Sequence, residues 1–185
     1  MLTGRAVRAF FASLMVVGAV ALTGSQSAAA AAPEQPLAGR VLTYDASASA
    51  EFHDAVDDGA AVWNSSVTNV QLRPAQAGET PNIRIVADDG WPRAVTTSLG
   101  NGTVYMGREA ADYNWVRIAS HELGHILGLP DMKPGPCSSL MSGSSAGTAC
   151  NNVYPDAYEK AWVEDNFAGG FAPSKAWERP LVFQD

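Results

Sequence analysis

The stretch HELGHILGLPD, from His121 to Asp131, restricts what this chain can fold into more than any other segment. Histidines four residues apart differ by only about 40° around an α-helix, so His121 and His125 can reach one common point. Glu122 stands about 100° round from His121, on the flank of that face. Two imidazoles with a carboxylate beside them match the ligands and general base of a metal-dependent hydrolytic site. A catalytic zinc ion takes three protein ligands and keeps one open position, so a third donor must come from beyond the helix. Gly128 supplies permissive backbone for a sharp exit, and Asp131 follows it by three residues. Aspartate is shorter than histidine, so the exit loop must come close; Gly128 and Pro130 could fix that approach. Glu159 or Glu164, further along, are the alternative third ligands.

The spacing predicts a helix over Asn114–Gly128, with Val116, Ala119, Leu123 and Leu127 towards the core and the two histidines opposite. Before it, Val41–Tyr44 reads as a strand and Ala50–Trp63 as a helix, with Phe52, Val56, Ala60 and Trp63 at helical spacing. Val67–Leu72, Ile83–Val86, Val95–Ser98 and Thr103–Met106 read as strands. After Gly128 the chain is rich in Gly, Ser and Pro through Asn152, which predicts a long loop. A last helix is expected from Pro155-Asp156 to about Phe167, with proline in its first turn. Residues 168–185 form a tail for which no element is predicted. This order of elements indicates an α+β domain over residues 40–167. Trp63, Trp115 and Trp162 read as packing residues and His53 as a surface residue.

Residues 1–32 have the form of a secretory signal peptide. Arg5 and Arg8 precede an apolar run from Ala9 to about Leu22, and small residues follow up to Pro33. That run is too short to span a membrane comfortably. Residues 33–39 are a short lead-in with little room for an inhibitory pro-segment. Removing the signal takes two basic and no acidic residues from a chain of charge −7, leaving about −9. So acidic a surface argues against nucleic acid or anionic membrane as partner. In an exported protein the two cysteines, Cys137 and Cys150, are expected to form one disulfide. Closing that loop is worth about 3 kcal/mol on the chain-entropy model.

With these residues in place, the sequence resembles the metzincin clan of zinc peptidases, and within it the snapalysins, small secreted bacterial neutral proteases. The pattern H-E-x-x-H-x-x-G-x-x-D stands at His121, Glu122, His125, Gly128 and Asp131, and snapalysins use aspartate where other metzincins use histidine. Ser139–Gly143 is similar to the clan's methionine turn, which places Met141 beneath the metal as an apolar floor. Cys137 and Cys150 bracket that turn, as the snapalysin disulfide does.

The resemblance implies a small twisted mixed sheet, an active-site helix, a methionine-turn loop and a C-terminal helix. It also implies one catalytic zinc on His121, His125 and Asp131, Glu122 as general base, and protein substrates cleaved outside the cell by a monomer. An aromatic residue just after the cleaved bond is the implied preference, and the strand near Val95–Ser98 is the edge on which an extended substrate would pair. Relatives often have a tyrosine two residues after the aspartate; Lys133 stands there and is the candidate oxyanion support. Asp112 and Asn114 lie where the family resembles a calcium binder. Val116 replaces an expected polar ligand, so the preferred reading is helix capping rather than calcium. The rival class is a secreted binding protein that holds the metal but cleaves little.

Overall fold

The computed structural model describes residues 39–169 and 179–184. The expected signal peptide and nearly all of the lead-in lie outside the described residues. The first strand, β1 (Arg40–Ala48), turns Leu42, Tyr44 and Ala46 into the core by simple alternation. A 3-10 turn (Ala50–Phe52) leads into helix α1 (His53–Ser66), which buries Val56, Ala60 and Trp63, the stripe predicted from spacing. Then follow β2 (Val70–Pro74), β3 (Ile83–Asp88), β4 (Arg93–Ser98), β5 (Asn101–Gly107), helix α2 (Trp115–Ile126) and helix α3 (Ala157–Asn166). A short strand, β6 (Leu181–Gln184), completes the described residues.

The six strands form one mixed sheet in the order β2-β1-β3-β5-β4-β6. Strands β2, β1, β3 and β5 are mutually parallel; β4 runs antiparallel to β5, and β6 antiparallel to β4. Helix α1 packs on β1 and β2, α2 packs on β4 and β5, and the helices pack on each other. This α+β architecture is the one expected. Among the described residues no helix is long and apolar enough to cross a membrane.

Several boundaries differ from the sequence reading, each for a local reason. The second strand starts at Val70 because α1 runs on to Ser66 and Val67 caps it, its N–H bonded to the Trp63 carbonyl at 3.1 Å. The last helix starts at Ala157, after Pro155, because Asp156 forms a capping box. Its carboxylate accepts from Glu159 N at 2.9 Å, and its own N–H donates to Glu159 Oε2 at 2.7 Å. The loop after Gly128 contains a kinked 3-10 segment, Leu140–Ala146. The expected two-faced α2 is instead buried nearly all round, with 10 of its 12 residues enclosed, while Val116 is only half-buried. Strand β6 has no counterpart in the sequence reading: at four mostly exposed residues it is too short to show a periodicity.

The contact that positions α2 is Trp63. Its ring is fully buried, and its Nε1 donates to the Ser120 carbonyl, one residue before His121, at 2.8 Å. Replacing it with phenylalanine loses that bond and leaves a void beside the site helix. Trp63→Phe is expected to cost about 2–3 kcal/mol, measured as a lower urea midpoint with unchanged m.

Candidate metal centre

Helix α2 is capped by Asn114, whose side-chain oxygen accepts from Arg117 N at 3.0 Å, the capping role preferred above. It ends in a Schellman motif. Gly128 N donates to the His125 carbonyl and Leu129 N to the Gly124 carbonyl, both at 3.0 Å. Gly128 adopts φ +93°, a left-handed conformation that a residue with a Cβ enters only under strain. A Cβ there would also sit 2.6 Å from Asn166 Nδ2, which caps the Leu127 carbonyl from α3. The reversed chain brings the Leu129 carbonyl back onto His125.

That return sets the chemistry of the imidazoles. His125 Nδ1 lies 2.8 Å from the Leu129 carbonyl oxygen, and His121 Nδ1 lies 3.0 Å from that of Leu140. A carbonyl oxygen can only accept, so each Nδ1 carries the hydrogen and each neutral ring presents a bare Nε2 lone pair. The two Nε2 atoms face each other at 3.1 Å, with Asp131 Oδ1 at 3.4 and 3.6 Å from them. Two lone pairs and a carboxylate oxygen converging in a buried site require a positive charge between them. A tetrahedral ion with bonds of about 2.0–2.1 Å keeps its ligand atoms about 3.3–3.4 Å apart, close to these three separations. The donor set fits a metal ion.

The floor is built by the loop between the cysteines. Cys137 and Cys150 are joined, with Cα atoms 5.5 Å apart. Met141 is fully buried beneath α2, where a Cβ on Gly124 would meet its sulfur at 2.7 Å. Glycine inside the motif therefore lets the methionine press against the helix between the two histidines. Met132 N donates to the Met141 carbonyl at 2.8 Å and ties the Asp131 segment to the same turn.

Two charged residues hold this loop. Arg117, four residues before His121, is buried and donates to the carbonyls of Asn152, Ser139 and Leu140 and to Ser142 Oγ, at 2.6–3.3 Å. Glu159, on α3, accepts from Ser139 Oγ and from the N–H groups of Leu140 and Met141 at 2.6–3.1 Å. The sequence reading gave Arg117 no role; the available signal was a cation one turn before the first histidine on a helix otherwise expected to be apolar there. Glu159 and Glu164, the alternative third ligands, are engaged elsewhere, Glu164 with Thr68 and Asn69. Among the described residues, His121, His125 and Asp131 form the one group of this kind able to hold an ion.

Glu122 lies on α2 beside His121 and is fully buried. Lys133 Nζ stands 3.3 Å from Asp131 Oδ1 and 3.3 Å from the Gln184 carbonyl oxygen. His53 is exposed, and its Nδ1 lies 3.5 Å from Asp57.

Residues 40–170 match the model of the Streptomyces extracellular neutral proteinase (M7) family. The chain belongs to this family. It is 38% identical over 152 residues to an extracellular small neutral protease of Streptomyces sp. (strain C5), covering 80% of this chain and 66% of the relative. The protein of the same description from Streptomyces coelicolor is 38% identical over 136 residues, covering 73% and 63%. That from Streptomyces caespitosus is 39% identical over 132 residues, covering 70% of this chain and 98% of the relative. The chain thus spans just under two thirds of the length of the first two.

Burial pushes the His125 imidazole below its ordinary value of 6.5. Burial acts the other way on Asp131, while contact with the His121 and His125 rings holds its carboxyl below the ordinary carboxylate range. With a folded pKa below the unfolded one, His125 contributes stability above pH 6.5 that is lost as pH falls through its lower folded value. Chelator-treated protein is expected to show an unfolding midpoint that drops progressively below about pH 6.5; a flat midpoint from pH 7 to 5 contradicts the neutral, buried ring.

Metal analysis of single variants separates the candidate ligands. Asp131→Ala is expected to fold and lose bound metal. Glu159→Ala is expected to lose about 3 kcal/mol of stability while its folded fraction keeps metal at full stoichiometry.

Proposed function

We propose that this chain is a secreted endopeptidase that holds one zinc ion on His121, His125 and Asp131 and hydrolyses peptide bonds in proteins outside the cell. The observation that carries the reading is the convergence of two Nδ1-anchored imidazoles and Asp131 on one point, with Glu122 on the same helix. Family membership and the names of the relatives support the reaction class and the location. On this reading residues 1–32 direct export and residues 40–167 are the catalytic domain.

Two nitrogens and one oxygen suit zinc among the common divalent ions. When bound, zinc would supply a Lewis acid and make water acidic enough to attack at neutral pH. Glu122 takes the proton from the attacking water and delivers it to the leaving amine, the usual division of labour for a buried carboxylate beside such a site. Leu140 and Leu129 keep both imidazoles in the required tautomer, so no proton has to move off the rings before the site works. Lys133 places its ammonium near a peptide carbonyl, here that of Gln184. The same group adds positive potential where a substrate's oxyanion develops. An aromatic side chain fits beside the ligands: the Phe183 ring stacks on His125 with centroids 4.4 Å apart. That contact supports the preference for an aromatic residue after the cleaved bond. The active species is a monomer.

Purified protein is expected to cleave casein, to stop on chelation and to recover with zinc. Glu122→Gln should keep its metal and lose about 10²–10⁴-fold in kcat/KM. Cleavage at the wild-type rate by Glu122→Gln would falsify the assigned mechanism.

A further inference from the structure

Strand β6 lies where an extended peptide substrate would be expected to lie. It pairs antiparallel with β4, from Arg93 opposite Gln184 to Thr96 opposite Leu181. Without β6, strand β4 is the edge of the sheet on this side, and helix α2 packs on it. Addition of a strand to a sheet edge is a general mode of peptide binding, in which main-chain pairing gives affinity. Two further contacts carry β6 onto the metal centre. The Phe183 ring stacks on His125 at 4.4 Å and 9° between planes, and the Gln184 carbonyl receives Lys133 Nζ, the ammonium that also touches Asp131. One segment of four residues thus reaches the edge strand, a candidate ligand ring and the cation beside the third ligand. With it seated, His121, Glu122 and His125 are no more than 1% exposed.

The side chains of β6 do not belong to the core. Leu181 is 45% and Val182 63% exposed, and only Phe183 is half-buried, against His125. The strand is therefore held by backbone pairing and by the site itself. Such a segment can leave without emptying the core.

We infer that Leu181–Gln184 is an inhibitor in cis, occupying the peptide-binding edge of the site, and that a substrate must displace it. This rests on the peptidase reading above. Residues 170–178, which lie outside the described residues, tether the segment. Tethering sets a local concentration on the order of millimolar for a short connection, so even weak pairing keeps the edge occupied.

The test measures peptide binding rather than turnover. A labelled peptide with the sequence of Pro180–Gln184 is titrated into full-length protein, in a Glu122→Gln background that prevents cleavage. The same titration is made with Phe183→Ala and with Leu181→Pro/Val182→Pro added. In an antiparallel pair, adjacent residues alternate in facing their partner, so the double proline removes a ladder donor whichever residue supplies it. The expected result is about tenfold tighter binding by the double-proline variant and an intermediate gain for Phe183→Ala. Equal affinity across all three proteins overturns the inference. So does unfolding of the double-proline variant, read by circular dichroism, because β6 would then be part of the fold. Casein cleavage by the same substitutions with Glu122 intact is read separately. Its absence in every variant counts against the peptidase reading, while the binding result decides the role of β6.

Discussion

The metal centre depends on a loop that has no regular ladder of its own and is held between two buried opposite charges. Arg117 donates to its carbonyls from α2, and Glu159 accepts from its N–H groups from α3. Leu140 is where the two meet: its N–H goes to Glu159, and its carbonyl receives both Arg117 and His121. The tautomer of a candidate ligand is thus fixed by a backbone group that two charged side chains hold in place. Hydrogen bonds to a charged group are worth about 1.5–3 kcal/mol each, against about 1 for neutral pairs. The disulfide limits the unfolded chain, whereas this clamp selects the native geometry.

Around that clamp, the helix exit and the loop converge on the same point. The Schellman turn brings Leu129 back to His125, and Met132 pairs with Met141. All three donors are therefore positioned by backbone hydrogen bonds rather than by side-chain rotamers alone. Two neutral imidazoles and one carboxylate would leave a divalent ion held there with a net charge of +1, lower than three imidazoles would. Lys133, 3.3 Å from the carboxylate, returns a positive charge to the rim of the site.

Much of this was legible from residue types at fixed spacing. The histidine pair, Gly128 and Asp131 carry their geometry in the sequence, because helix pitch and the left-handed exit are local properties. The α1 stripe and the strand cores were legible for the same reason. Arg117 and Glu159 were not, since the loop that satisfies them is 18 or more residues away in sequence and its backbone has no signature. Glu159 was noticed only as an alternative third ligand to Asp131, because from sequence alone a ligand and a loop anchor on a helix look the same. Strand β6 was illegible because pairing with β4, rather than its own periodicity, makes it a strand.

The pairing of β4 with β6 also matters for a molecule that leaves its cell and meets others of its kind. An uncovered edge presents a row of unpaired N–H and C=O groups, and any chain able to extend can join it, including another copy. Four mostly exposed residues stop that growth in the resting protein. When they move aside for a substrate, the same opening admits a neighbour. Colloidal behaviour and accessibility of the site are therefore linked through one short strand. The net negative charge of the chain is then the remaining defence, keeping copies apart while the edge is bare.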